Sequence, residues 1–170
     1  MWTYLNGEFI PKEEVRVSPF DRGFLFGDSV YEVITSYSNK PFLFDEHLER
    51  LRNSLSITNI PIPESLKDLY PLMMELLKKN QFSNQAIYIQ ITRGVDPVRS
   101  HVSASTTVPT LFMSSGELEI NPYRGSSHKE GLKVKLEEDI RWKRCDVKAT
   151  TLLPNIIPFH REDESVADEI

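Results

Sequence analysis

Asn6-Gly7, set between Tyr4-Leu5 and Glu8-Phe9-Ile10, constrains this chain more than any other pair of residues. A type I′ turn needs positive φ at both central positions, and Asn-Gly supplies them at the least steric cost. The chain is therefore expected to open as a β-hairpin, which commits its first strands to antiparallel pairing. Val30 to Tyr37 is a second β-rich run, and Ser38-Asn39-Lys40 turns it into Pro41-Phe42-Leu43-Phe44 as a second hairpin. Ala86 to Thr92 and Thr110 to Ser114 add two further strands, with a Ser/Thr-rich loop from His101 to Pro109 between them.

Two helices interrupt these strands. Asp45 is the expected N-cap of the first, with Leu48, Leu51 and Leu55 at helical spacing and Arg50 and Arg52 off the apolar stripe. Glu64 to Gln81 carries Leu66, Leu69, Met73, Leu76 and Leu77 on one side, with Lys78 and Lys79 near its end. Pro71 is expected to kink this helix or to shift its start. The fold class that follows is α+β: an antiparallel sheet with two helices over residues 1–115. Residues 116–130, with Gly116, Pro122 and Gly125, read as a linker. Leu132, Val134 and Leu136 then alternate with charged residues as a half-buried strand, opening a second, α/β unit over 131–170.

Composition narrows the function classes. With 39% hydrophobic residues the chain can build a core, which argues against intrinsic disorder. A formal charge of -5 gives no basic footprint for a phosphate backbone, so no nucleic-acid partner is expected. No stretch reaches the ~18 apolar residues of a membrane span, and the start lacks the basic-then-apolar order of a signal peptide. The lone Cys145 fits a reducing compartment and reads as a small core residue, with a Cys-His nucleophile as the other reading. The expectation is a soluble, cytoplasmic protein. His47, His101, His128 and His160 are scattered without i, i+4 pairing, so no metal is expected. Arg22 to Gly27 holds two glycines but no phosphate-binding fingerprint.

Four stretches carry the chemistry. They are Asp21-Arg22-Gly23-Phe24-Leu25-Phe26-Gly27-Asp28-Ser29-Val30-Tyr31-Glu32, Glu46-His47-Leu48-Glu49-Arg50-Leu51, Thr92-Arg93-Gly94 with Arg99-Ser100-His101, and Asp139-Ile140-Arg141-Trp142-Lys143-Arg144-Cys145-Asp146-Val147-Lys148. Each alone has a plain structural reading: a glycine turn, a solvated helix face, a loop cation pair, a surface lysine. In their order and spacing they resemble the fold-type IV pyridoxal-phosphate enzymes, the class IV aminotransferases, and most of all the D-amino-acid (D-alanine) transaminase branch.

That resemblance implies a residue map. Lys148 matches the lysine that joins pyridoxal 5′-phosphate as a Schiff base and then moves a proton at the substrate Cα. A free lysine is almost wholly protonated at pH 7, so such an amine needs a surround that lowers its pKa. Arg50 matches the arginine that holds the cofactor phosphate. Tyr31 and Glu32 match positions on the substrate side of the pocket, with a solvent-facing strand residue as the other reading of Glu32. Arg99 and His101 match an Arg-x-His pair that binds the substrate carboxylate from the neighbouring subunit, on a loop one residue longer than the family's usual one. The implied protein is a homodimeric transaminase exchanging an amino group between a D-amino acid and a 2-oxo acid. Branched-chain aminotransferase and aminodeoxychorismate lyase share the implied fold and lysine.

The resemblance also implies a longer chain, with a carboxylate on the pyridine nitrogen that Glu162, Asp163 and Glu164 lie too near Lys148 to supply. The expectation is thus a truncated chain, with a catalytically inactive dimerisation module as a further alternative. Pro154 suits a first helical turn, whereas Pro158 falls where the family's helix continues, so truncation competes with a helix starting near Arg161. Leu152, Leu153, Ile156 and Ile157 are expected to lie uncovered.

Overall fold

A computed structural model describes residues 1–104, 107–119, 134, 136 and 138–160. Six antiparallel strands form one sheet: β1 (Trp2–Leu5), β2 (Glu8–Pro11), β3 (Ser29–Tyr37), β4 (Lys40–Pro41), β5 (Asn84–Thr92) and β6 (Thr110–Glu117), in the order β2-β1-β6-β5-β3-β4. The opening hairpin forms as its turn residues require, with Asn6 at φ 48 and Gly7 at φ 107. The second hairpin is shorter than the run Pro41–Phe44 suggests. Leu43 takes the left-handed conformation at φ 51 and turns the chain out of β4 directly into a helix.

A five-residue helix, α1 (Arg22–Phe26), precedes β3; the Asp21 side chain caps its N-terminus through Gly23 N at 2.8 Å. The helix after β4, α2 (Phe44–Thr58), is not capped by Asp45, which lies inside its first turn. Asp45 and Glu46 there complement the positive end of the helix dipole instead. The second expected helix splits at Pro71. Glu64–Asp68 is a tight 3₁₀ turn, and α3 (Leu69–Asn80) starts two residues before the proline, where a missing N–H costs no intrahelical bond.

Alternation along the strands decides which side chains meet the helices. Val30 and Ile34, Ile87, Ile89 and Ile91, and Leu111 and Met113 are buried on one face with Leu51, Leu55, Leu69, Met73, Leu76 and Leu77 of α2 and α3. The opposite, half-open face carries Tyr31, Tyr88, Gln90 and Phe112.

One compact unit comprises Met1–Glu119 together with Asp146–Thr150; a second comprises Ile120–Cys145 and Thr151–Ile170. Within the second, α4 (Leu153–Ile156) begins with Pro154 in its first turn and passes into a 3₁₀ turn over Ile157–His160 at Pro158. Leu153, Ile156 and Ile157 are exposed, as expected, whereas Leu152 is half-buried. Cys145 is exposed rather than a core residue, its thiol 3.2 Å from Trp142 O in a loop. Val134 and Leu136, expected on the buried side of a strand, are also exposed. Leu132, Lys133 and Lys135 of that strand, the greater part of the 116–130 stretch, and Arg161 to Glu164 lie outside the described residues.

Candidate functional site

β3 supplies the frame of the site because its two edges are covered by different pieces of chain. β5 pairs along its whole length on one side. On the other, β4 reaches only Ser36 and Tyr37, and the far end is completed by residues 148–150. Val30 and Ala149 form an antiparallel bridge, Tyr31 N donates to Lys148 O at 3.0 Å, and Thr150 N donates to Ser29 O at 3.2 Å. Val147 and Ala149 are buried in the core. The pleat then sends Lys148 and Thr150 to the half-open face. There Lys148 Nζ sits 4.1 Å from the centroid of the Tyr31 ring, and the Thr150 hydroxyl meets that of Ser29.

A polar chain runs across this face. Tyr88 donates to Gln90 Oε1 at 2.8 Å, and Gln90 Nε2 donates to Ser29 Oγ at 3.3 Å. The Tyr88 ring lies 5.7 Å from that of Tyr31, and burial first, then the neighbouring Tyr31, raises its hydroxyl above the usual phenol value.

Arg50 sits on α2. It donates Nε to Glu32 Oε1 at 2.6 Å and Nη2 to Glu32 Oε2 at 2.7 Å, while His47 Nδ1 lies 2.9 Å from Oε2. Burial of Glu32 pushes its carboxyl up, but the hydrogen bonds and charges of Arg50 and His47 outweigh this and hold it below the ordinary carboxylate value. The bond to Glu32 raises Arg50 in turn. One helical turn beyond Arg50, Ser54 Oγ accepts from Lys148 N at 3.3 Å. One helix thus touches both the guanidinium's partner and the backbone of the lysine.

Glu32, matched to the substrate side beside Tyr31, lies on the opposite face of β3 and is fully buried rather than solvent-facing. The strand period of two separates the neighbours, and the pull of Arg50 and His47 keeps the carboxylate inside. Arg99 and His101 come together on α1, not beside Lys148. The Arg99 guanidinium lies 4.9 Å from the Phe26 ring, and the His101 ring lies 5.8 Å from it. Among the described residues neither makes a hydrogen bond or ion pair with Lys148 or Arg50.

Their loop is tied down by a residue that sequence reading passed over. Arg22 is buried and donates to Ser100 O at 2.7 Å, to His101 O at 3.0 Å and to Asp28 at 2.8 Å. Asp28 also pairs with Arg93, which reaches Thr58 O and Asn59 O at the end of α2. Burial raises the Asp28 carboxyl, and the two arginines more than reverse this. Gly94, at φ 102, lies so close to Val108 that a Cβ would stand 1.8 Å from its carbonyl oxygen. Tyr88 and Gln90 were findable from the polar phase of the β5 alternation. Ser54 was not, since it interrupts an apolar stripe without any pattern of its own. No group of three potential metal ligands occurs among the described residues, and no helix among them is long and apolar enough to cross a membrane.

Comparison with known proteins bears on the family and the fold. The family described as Amino-transferase class IV matches residues 29–164. D-alanine aminotransferase of Staphylococcus haemolyticus is 40% identical over 154 residues, which is 91% of this chain and 54% of that protein. D-alanine aminotransferase of Listeria monocytogenes serotype 4b is 34% identical over 169 residues, 99% of this chain and 58% of that protein. The structure of a T.th. branched-chain amino acid aminotransferase with pyridoxamine 5′-phosphate shares the fold at a TM-score of 0.68 and 22% identity, over 78% of this chain and 44% of the other. The chain spans about half the length of the curated relatives it matches.

Proposed function

The chain belongs to the class IV amino-transferase family, and from that premise we propose that it serves a pyridoxal 5′-phosphate-dependent transamination between a D-amino acid and a 2-oxo acid. The observation that carries this reading is the placement of the Lys148 amine over the Tyr31 ring, on a segment that closes the edge of β3. The donor set suits the cofactor. An amine on a half-open face is matched to an aldehyde, and a guanidinium with one edge anchored and the rest of it half in solvent is matched to a phosphate. Arg50 Nη1 makes no hydrogen bond among the described residues, so donors remain on it for such an anion. When bound, the cofactor supplies the electron sink that lets the substrate Cα–H bond ionise.

The remaining roles fall to this chain's own side chains. Lys148 Nζ holds the cofactor and carries the proton to and from the substrate Cα. Arg50 holds the phosphate end. Tyr31 packs beneath the lysine and offers its hydroxyl on the substrate side. Arg99 and His101 bind the substrate carboxylate of a second copy of the chain, which makes the assembly a homodimer. Their setting supports this: Phe20, Phe24, Val98 and Val102 on and around the same loop and helix are exposed apolar side chains. The Arg-x-His pair and the D-alanine aminotransferase relatives favour the D-amino-acid substrate class. A single cysteine, exposed and with no second cysteine in the chain to pair with, supports a cytoplasmic setting.

The test is direct. Protein incubated with pyridoxal 5′-phosphate is expected to acquire a bound-cofactor absorbance band that Lys148→Ala lacks. D-alanine, L-leucine and aminodeoxychorismate are then assayed side by side, and any turnover is expected to be of D-alanine. A colourless wild-type protein rejects the cofactor reading, and turnover confined to either other substrate rejects the D-amino-acid reading.

A further inference from the structure

Glu32 occupies an unsuitable place for a carboxylate. It is fully buried in β3, between Val30 and Ile34 on the core face and opposite Ile89 on β5. Shape alone would be met there by an apolar side chain, and an unpaired charge in such a row is costly. Its partner is placed quite differently: the Arg50 side chain is 52% exposed, against 1% for that of Glu32. An arginine so exposed ordinarily spreads over many rotamers. This one is gripped along a single edge, Nε and Nη2, by an acceptor that has nowhere to move. His47, one turn earlier on α2, braces the same carboxylate at 2.9 Å and lies 3.3 Å from Arg50 Nη2.

We propose that Glu32 is a positioning residue: it fixes the Arg50 guanidinium by one edge, with His47 as the brace, so that the other edge is presented to a phosphomonoester. This rests on the cofactor reading above, and it moves Glu32 from the substrate to the anion end of the site. Charge alone makes the opposite forecast. A carboxylate close to a phosphate repels it, so neutralising Glu32 would tighten phosphate binding if orientation did not matter. Orientation requires that it weaken.

Pyridoxal 5′-phosphate and pyridoxal differ only by the phosphate, so the ratio of their dissociation constants isolates that end of the site. Each is titrated by absorbance against the 170-residue chain. Because both ligands need the same folded protein, the ratio is insensitive to partial unfolding of a variant. The wild type is expected to prefer the phosphorylated form, and Arg50→Ala to lose that preference. Glu32→Gln is expected to lower it by about tenfold or more, the scale of a misaligned charged hydrogen bond. Glu32→Asp keeps the charge, shortens the reach, and is expected to lower it too. In an Arg50→Ala background, Glu32→Gln is expected to add nothing. A wild type without preference, or one that keeps it in Arg50→Ala, rejects the phosphate role of Arg50 and this inference with it. Loss in Arg50→Ala combined with an unchanged or stronger preference in Glu32→Gln overturns the inference alone.

Discussion

The charged side chains that matter most here are those whose partners are buried. Glu32 and Asp28 both have carboxyl groups held below the ordinary range, in spite of burial, by arginines at 2.6–2.8 Å. A group whose pKa is lower folded than unfolded stabilises the fold above its unfolded value, and that stabilisation is lost as pH falls through the folded one. Urea midpoints measured between pH 3 and 7 are therefore expected to be level above about pH 5 and to fall steeply below about pH 4. Midpoints that stay flat to pH 3 would show that these pairs add nothing. Gly94 makes a second test. Gly94→Ala meets both a left-handed backbone and the Val108 carbonyl, so a loss of about 2–3 kcal/mol is expected in thermal unfolding. An unchanged midpoint would mean that Gly94 is not pressed against the Val108 carbonyl as described.

Among the elements, α2 links the core to the site. Leu51 and Leu55 fix one side of it against the sheet, and Arg50 and Ser54 lie on the turns that reach Glu32 and Lys148. Leu55→Ala is expected to cost about 2–5 kcal/mol, the range for a fully buried leucine, whereas Pro71→Ala in the first turn of α3 is expected to change stability by less than about 1 kcal/mol. A large loss from Pro71→Ala would place the proline in a helix interior after all. Most of these elements were legible from local pattern: the Asn6-Gly7 hairpin, the alternation of β5 and the apolar stripes of both helices. What was not legible is non-local or depends on one torsion. Leu43 adopting φ 51 shortens β4 and displaces Asp45 from the cap, and no spacing rule signals a left-handed leucine.

For the molecule as a whole, the site exists because distant segments are brought together. Ser29 and Thr150, 121 positions apart, share a hydrogen bond beside Lys148, and Arg22 holds a loop 79 positions away by its carbonyls. Lys148 and Arg50 could be singled out as candidates from the sequence through the family's motifs. That Glu32 faces Arg50, and that Arg99 and His101 stack on Phe26, could not, because each depends on which face of a strand or loop is turned inward. The exposed Phe24 and Val102 near that loop lead to a prediction of assembly. The wild type is expected to sediment as a dimer at micromolar concentration, and Phe24→Asp with Val102→Asp to shift it toward monomer. A wild type that is monomeric would leave the Arg99–His101 pair without a second copy to serve.

Lys148 is proposed as the residue that holds pyridoxal 5′-phosphate. Borohydride reduction of the cofactor-treated chain, followed by peptide mass spectrometry, reads this directly. A phosphopyridoxyl adduct is expected on the peptide containing Lys148, near one equivalent per chain, and absent from Lys148→Ala. An unmodified Lys148, or an adduct scattered over surface lysines such as Lys67 and Lys78, would contradict it.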